Sequence, residues 1–263
     1  MKKLFILCFF TIQMVTGFVC AQTSNSGYKL VFSDEFDLPN GSQPDAKKWN
    51  RAIRNKSTWA RFISNSNRVV YIKNGCLVCR AIPNKYEKAD TAKMLTGAIN
   101  SKGKFNFQYG KVEVRLKTNT IRGNFPAVWI STQGTAKDGY AEIDIFESFG
   151  NEGKATSSLH TRHSQAKKLP FENNHRQSVN LKKWHTYGME WTPTEIIFTI
   201  DGRRTNIYKK PKNDAELKEG KWTFDQPLFL ILNQSVGRAP KNTPNYKKIY
   251  ETKFDWIRVY QKK

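Results

Sequence analysis

The chain has 263 residues, with 44 lysines and arginines against 22 acidic residues, and its formal net charge is +22 at pH 7. This length suits one large all-β domain and argues against a pair of small domains. The positive excess is far beyond what solubility requires, so we expect an anionic partner.

Residues 1–21 have the pattern of a secretion signal that is removed from the mature protein. Two lysines precede an apolar run over residues 4–10, and a short Val-Cys-Ala segment ends at Ala21. A membrane anchor is the alternative, but the apolar run is short and polar residues follow it. We therefore predict one domain over residues 22–263, with a net charge of +20 after loss of two lysines. This product is expected to be secreted or periplasmic, monomeric and away from the membrane.

The remaining sequence contains short alternating or β-branched runs and no long pattern of period 3.6, which predicts an all-β protein. Asp201-Gly202 indicates a tight turn, and residues 209–221 indicate a surface loop or short helix. The number of strands favours a sandwich of two sheets. Predicted strands cover residues 28–32, 69–72, 76–82, 110–117, 127–131, 141–147, 156–160, 185–191, 196–200, 228–233 and 252–260.

Cys76 and Cys79 lie in one predicted strand at a spacing that points their side chains to opposite faces. A disulfide between them is therefore not expected. No second Cys or His pair has a matching spacing for a metal, so we predict two buried thiols.

Three carboxylates interrupt the otherwise apolar predicted strand over residues 141–147. With a period of two, Glu142 and Asp144 share a face, whereas Glu147 would point to the other face. A β-bulge at Ile145-Phe146 would supply the missing residue and return Glu147 to its partners. Crowded like charges would hold one proton tightly, as a retaining glycosidase requires. An acidic solvated or metal-binding strand is the alternative.

The spacing Glu-x-Asp-x-x-Glu formed by Glu142, Asp144 and Glu147 resembles the motif of glycoside hydrolase family 16. The resemblance implies a β-jelly roll of two curved antiparallel sheets, similar to concanavalin A, with the substrate in a concave cleft. It also implies Glu142 as the nucleophile, Glu147 as the general acid and base, and Asp144 as the residue that holds Glu142. Further similar segments are residues 31–36, 126–129, 185–193, 201–202, 230–233, 236–237 and 254–260.

Within that family, the chain is most similar to the branch of β-porphyranases, β-agarases and κ-carrageenases. Agarose is neutral, whereas porphyran and carrageenan carry sulfate esters that arginine can bind through two hydrogen bonds. Arg54, Arg61 and Arg122 lie in loop-like segments and are predicted to bind sulfate, although a single arginine is as a rule a solvated charge. We predict a β-porphyranase that cleaves internal β-1,4-galactosidic bonds, with an agarase or κ-carrageenase as the alternative.

Aromatic and polar side chains near the motif are candidates for sugar binding. The indole rings of Trp59 and Trp129 are predicted to stack on sugars, and an indole N–H can bond a hydroxyl. The resemblance places His160 near the leaving group, and Asn233 and Gln234 at the end of a strand beside the cleft. It also suggests Trp191 near the cleft and Trp256 in the outer sheet. Each of these residues has a structural alternative.

No cofactor is expected for catalysis, but relatives hold a structural calcium ion through an aspartate that matches Asp255. One carboxylate is weak support for it, because calcium takes six or more oxygens. Two other classes of function remain. A lectin for sulfated glycans would gain nothing from three acids in its groove, and nucleic-acid binding rests on charge alone. The expected partner is an anionic polysaccharide, with no nucleic acid.

Overall fold

The computed structural model describes residues 27–85, 89–132, 139–237 and 242–263. The predicted signal over residues 1–21 lies outside them and stays a prediction. In the part of the chain that is described, no helix is long and apolar enough to cross a membrane.

Sixteen strands and two short helices form the described structure, so the all-β prediction is confirmed. The elements are β1 (Tyr28–Asp34), β2 (Asn50–Arg51), β3 (Val70–Ile72), β4 (Leu77–Pro83), β5 (Met94–Asn100), β6 (Asn106–Phe107), β7 (Gly110–Thr118), β8 (Asn124–Ser131), β9 (Ala141–Glu147), β10 (Lys154–Thr161), α1 (Arg162–Ala166), β11 (Asn173–Ser178), β12 (His185–Trp191), β13 (Glu195–Ile200), β14 (Arg203–Lys209), α2 (Asp214–Glu219), β15 (Leu228–Val236) and β16 (Tyr250–Lys262).

The strands make two antiparallel sheets that share one strand. Sheet A has the order β3-β4-β16-β7-β12-β13-β14, with β1 also paired to β16. Sheet B has the order β11-β10-β9-β8-β15-β5-β2, with β6 also paired to β15. The first half of β5 pairs with β4, and its second half pairs with β15, so β5 passes from sheet A into sheet B. This is the sandwich that the strand count predicts.

Gly97 lies in β5 where that strand changes sheets. A Cβ atom at this position would lie 2.0 Å from the carbonyl oxygen of Val69, a distance that atoms do not reach. The close approach of two backbones therefore requires glycine here.

The hydrophobic core lies between the sheets. In β7, Val112, Val114 and Leu116 are fully buried, whereas the charged residues between them face outward, as the alternation predicts. Core residues of sheet B, such as Ile143, belong to the same buried cluster. Burial of these side chains on both inner faces gives the two sheets their fixed relation.

Cys76 and Cys79 are buried free thiols, as predicted. Burial raises the pKa of the Cys79 thiol to about 12, so this side chain behaves as a small apolar group. The Asp201-Gly202 turn joins β13 and β14, and the predicted loop or helix over residues 209–221 contains α2, so both predictions are confirmed.

Candidate active site

The three acidic residues of β9 face the same side because the strand contains a bulge. Glu147 pairs with Thr156 and Asp144 pairs with Ser158, so three steps on β9 match two steps on β10. The neighbouring strand β8 shows the same irregularity. The consecutive residues Ile145 and Phe146 both belong to the hydrophobic core. The predicted bulge at Ile145-Phe146 is therefore confirmed, and the acids lie on the other face.

A cavity of about 240 Å³ lies over this face of sheet B. Glu142 and Glu147 both line it, and Asp144 is buried between them on the same strand face. The rings of Trp59 and Trp129 meet edge to face with their centroids 5.0 Å apart. The full lining consists of Thr58, Trp59, Phe125, Ala127, Trp129, Glu142, Glu147, His160 and Asn233.

Glu142 has three polar neighbours that act on its charge in opposite directions. Burial, followed by the adjacent Asp144 carboxylate, raises the pKa of Glu142 to about 8. Tyr140 donates a hydrogen bond to Glu142, and His160 Nε2 lies 3.6 Å from Glu142 Oε1. Both contacts favour the ionised form. Glu142 therefore holds a proton that its neighbours can help it to release.

His160 also contacts Asp144, with 3.2 Å between its Nε2 atom and Oδ2 of that carboxylate. One imidazole thus bridges two of the three acids. Its ring packs at 5.4 Å from Phe171, which limits its rotation. His160 is placed to orient Asp144 and Glu142 together.

Glu147 is 5% exposed and is oriented through a short chain of hydrogen bonds. Ser158 Oγ on β10 donates to Glu147 Oε2 at 3.2 Å. Asn174 Nδ2 on β11 donates to Ser158 Oγ at 3.0 Å. Ser158 therefore keeps its hydroxyl hydrogen directed at the carboxylate, and the edge strand β11 supports the site.

Side chains of β15 form hydrogen bonds with both tryptophans that line the cavity. Trp129 Nε1 donates to Asn233 Oδ1 at 2.8 Å, and Ser235 Oγ donates to the carbonyl of Trp59 at 2.6 Å. The indole N–H of Trp129 is thus already used within the protein. Its contribution to a sugar would be its apolar surface, and the expected hydrogen bond from this indole to a hydroxyl is not supported.

A second cavity of about 660 Å³ shares Trp59 with the first cavity. It extends along sheet B over β15, β5 and β2 and has amide and cationic side chains in its lining, among them Asn50, Asn100 and Lys102. Together the two cavities form a groove longer than a single sugar ring.

The structure brings together four of the eight predicted substrate-binding residues, namely Trp59, Trp129, His160 and Asn233. Gln234 is placed differently and its prediction is wrong: its side chain is fully buried. Its amide donates to Asn124 Oδ1 at 2.7 Å and accepts from Thr252 Oγ1 at 2.6 Å. Neighbouring residues of a strand face opposite ways, so only one of the Asn233-Gln234 pair can reach the cavity.

None of the three predicted arginines lines the catalytic cavity. Arg54 forms two hydrogen bonds with Asp90, at 2.7 and 2.6 Å, so its guanidinium is already neutralised. Arg61 donates to the carbonyls of Val236 and Gly237 at 3.3 and 3.2 Å. Arg122 is exposed before β8, and its role in sulfate binding stays a prediction.

Trp191 is not near the cleft, contrary to the prediction. It is 1% exposed and packs in the core, with its ring centroid 5.2 Å from Tyr109 and 5.8 Å from Phe107. Trp256 lies in sheet A with the guanidinium of Arg258 4.4 Å from its ring centroid, as expected for the outer sheet.

Asp255 does not fit the predicted calcium site. Its carboxylate is ion-paired with Arg115, and the nearby Cys76 thiol is a poor calcium ligand. A fixed guanidinium thus lies where a cation would have to bind. Among the described residues, one group has metal-ligand spacing: Glu142, Asp144 and His160, whose ligand atoms lie within 4.8 Å of one another.

Sequence reasoning missed Tyr140 and Ser158, which contact Glu142 and Glu147. Tyr140 precedes β9, so its position relative to the strand could not be inferred from alternation. Ser158 faces the cavity side of β10 only because of the register set by the bulge. Ser158 lies two residues before His160 in the same strand, and residues at this spacing share a face, so the sequence did contain a signal for Ser158.

The family model of glycosyl hydrolases family 16 matches residues 58–258 of this sequence. A keratan-sulfate endo-1,4-β-galactosidase from Sphingobacterium multivorum is 29% identical over 243 residues, which are 90% of this chain and 56% of that relative. This chain therefore spans little more than half the length of that relative.

Solved structures agree with this relationship. A laminarinase from Rhodothermus marinus has a TM-score of 0.78 and 26% identity, with 90% of this chain and 98% of that chain covered. A non-specific endo-β-1,3(4)-glucanase, SCLam, has a TM-score of 0.77 and 28% identity, with 90% and 92% covered. Their likeness extends over both sheets, as the jelly-roll prediction requires. The chain belongs to glycosyl hydrolases family 16.

Proposed function

We propose that this chain is an endo-acting, retaining glycoside hydrolase in which Glu142 is the nucleophile and Glu147 is the general acid and base. The observation that carries the proposal is the β9 bulge, which turns Glu142, Asp144 and Glu147 to one face. Two of these carboxylates line a cavity with two tryptophan rings, so a pair of acids for bond cleavage lies beside aromatic surfaces on which a sugar can stack.

The reaction follows from the two glutamates in two steps. Ionised Glu142 attacks the anomeric carbon while Glu147 gives its proton to the departing glycosidic oxygen, and a glycosyl-enzyme ester forms. A water molecule then attacks the same carbon as Glu147 accepts its proton, and the ester bond to Glu142 breaks. The protein returns to its starting protonation state, and the configuration of the sugar is retained.

The proton must lie on Glu147 before the first step, although the pKa of Glu142 is raised to about 8. Because the three carboxylates are coupled, their protons belong to the group and can change position as the cavity fills. The hydrogen bond from Tyr140 and the approach of His160 both favour negative charge on Glu142. These two residues therefore act as positioning residues for the nucleophile.

Endo action is supported by the length of the groove. The catalytic cavity of about 240 Å³ continues past Trp59 into the cavity of about 660 Å³. A groove that extends beyond the carboxylates can hold several sugars of a polymer at once, so an internal bond can reach the reacting groups.

For the substrate, we propose β-1,4-galactosidic bonds in a sulfated, galactose-containing polysaccharide, with porphyran as the specific candidate. The net charge of +22 and the name of the keratan-sulfate relative support an anionic galactose polymer. The arginines do not line the catalytic cavity, so sulfate would be bound at the flanks of the groove, where Lys102 lies. A β-glucan is the second candidate, because glucanases are among the similar solved structures.

The test is the release of reducing ends from porphyran, keratan sulfate, agarose, κ-carrageenan and laminarin at equal sugar concentrations. We expect the highest kcat/KM on porphyran, followed by keratan sulfate. Highest activity on laminarin would assign the chain to the glucan candidate. Binding without release of ends from any polymer would contradict hydrolysis and indicate a lectin.

A further inference from the structure

The outer face of sheet A carries a cavity of about 510 Å³ that shares no lining residue with the catalytic cavity. It lies over β3 and β4. Tyr71 and Arg80 face outward there, because Val70, Ile72 and Cys79 point into the core. The core cluster therefore lies between this cavity and the carboxylates of β9.

Four cationic side chains line this outer cavity, and none of its described lining residues is acidic. Arg80 is paired across the strands with Glu251, with 3.1 Å between Nε and Oε2. Arg68, Lys85 and Lys247 are exposed at its rim. In the described part of the chain, the lining thus has four cationic side chains and no acid, and Glu251 is paired with Arg80, so the potential of the cavity favours an anion.

The cavity also has a surface for the apolar face of a sugar ring. Ile82 and Pro83 form part of its lining, and Ile249 is 45% exposed beside them. The Tyr71 ring presents a further flat surface with a polar end. Apolar contact next to several cations matches a sulfated sugar better than it matches a bare inorganic anion.

We propose that this outer cavity is a second binding site for sulfated glycan, separate from the site of cleavage. It would hold one part of a polymer while another part occupies the groove, and it would thereby raise the local concentration of substrate. The ligand class rests on the proposed function, whereas the cavity and its charge do not.

The test uses a triple variant, Arg68→Gln with Lys85→Gln and Lys247→Gln, which leaves the Arg80–Glu251 pair intact. The matched control, Lys209→Gln with Lys212→Gln and Lys218→Gln, removes the same charge. Its residues are exposed on β14, on α2 and in the segment between them, and β14 lies at the opposite end of sheet A. Both sets are made in a Glu147→Gln background to prevent hydrolysis, and calorimetric titration with a sulfated porphyran tetrasaccharide counts the sites.

We expect two sites per chain in the background protein and in the control, and one site in the triple variant. Affinity for the whole polymer at low salt should fall by about tenfold in the triple variant, because three exposed charge contacts are lost. With Glu147 intact, the triple substitution should leave kcat on the tetrasaccharide unchanged. Equal weakening in the triple variant and the control would overturn the proposal, since net charge alone would then explain binding.

Other outcomes separate this inference from the proposed function. A single site that persists in the triple variant overturns the second site and leaves the cleft as the binding site. A single site that disappears in the triple variant supports the second site and contradicts binding of this glycan in the cleft. If a short DNA duplex binds as tightly and loses its affinity in the triple variant, the assignment to glycan is wrong.

Discussion

Strands β7 and β9 show how one additional residue changes the use of a strand. In β7, Val112, Val114 and Leu116 point inward and the charged residues point to solvent without interruption. In β9, the same alternation is broken by the bulge, and its acids are gathered in a cavity. A charge on β7 is hydrated, whereas a charge on β9 must be stabilised by its neighbours. Identical residue types therefore have different chemistry on the two strands.

The largest expected difference between these strands is in turnover. Replacement of the acid in Glu147→Gln should lower kcat by about 10²–10⁴-fold, because the residue can no longer donate a proton. The matched substitution Glu113→Gln on the outer face of β7 should leave kcat unchanged. Initial rates on the best polymer of the panel measure both. Full activity in Glu147→Gln would remove this residue from the mechanism.

Stability should respond to pH through Glu142. Its pKa rises from 4.5 to about 8 on folding, so its contribution is fully present below about pH 4.5 and is lost as the pH rises through 8. Glu142→Gln lacks this loss and should be more stable than the wild type at pH 9, by an amount on the order of a few kcal/mol. The two proteins should converge near pH 4.

Urea unfolding at several pH values measures this effect, with Glu113→Gln as the control on β7. Glu113 is paired with Lys111 at 2.7 Å on the outer face, and its replacement should give a difference that changes little with pH. A constant difference between Glu142→Gln and the wild type from pH 4 to 9 would contradict the raised pKa.

A smaller effect, on the pH dependence of kcat/KM, should distinguish a neighbour that lowers the pKa of Glu142 from one that raises it. Tyr140→Phe removes a hydrogen bond to the ionised form, so the acidic limb of the kcat/KM profile should move to higher pH, by about one unit. Asp144→Asn removes a like charge and should move that limb to lower pH, although the rate itself falls. If the acidic limb moves in the same direction in both variants, that limb reports a group other than Glu142.

The smallest effect is expected from metal removal. Because Arg115 is paired with the Asp255 carboxylate, treatment with a chelator should leave Tm and activity unchanged. Thermal unfolding with and without EDTA, followed by calcium addition, measures this. A fall in Tm that calcium restores would reinstate the calcium site.

The sequence was most informative where residue type conflicted with position. Three acids in an apolar strand required a bulge, and the bulge was located correctly at Ile145-Phe146. The eleven predicted strands are all present, with ends shifted by a few residues. Strands with one face in the core have a pattern that burial imposes on the sequence.

The missed strands lack that pattern for physical reasons. β11 and β14 are edge strands with mostly polar side chains, so they show no apolar alternation. β2 and β6 have two residues each. β5 changes sheets at Gly97, so its residues do not keep one face toward one environment.

The partners of long polar side chains also could not be predicted from the sequence. Asp90, which neutralises Arg54, lies 36 residues away in the chain. Trp191 could have pointed to the cleft or to the core, and only contact with Phe107 and Tyr109 decided between them. Local sequence predicts which face a residue takes, but the identity of its contacts depends on the whole fold.

Trp59 stands on a loop, while the carboxylates stand on β9, and a hydrogen bond from Ser235 is what ties the carbonyl of that tryptophan to the sheet. One of the two tryptophan rings in the cavity thus comes from a part of the chain separate from the strand that carries the carboxylates. Exchange of residues 52–63 for a loop of another sequence could change which sugar is accepted without disturbing the reacting groups. Substitutions confined to this loop could therefore change the polysaccharide that is cleaved while the three acids of β9 stay in place.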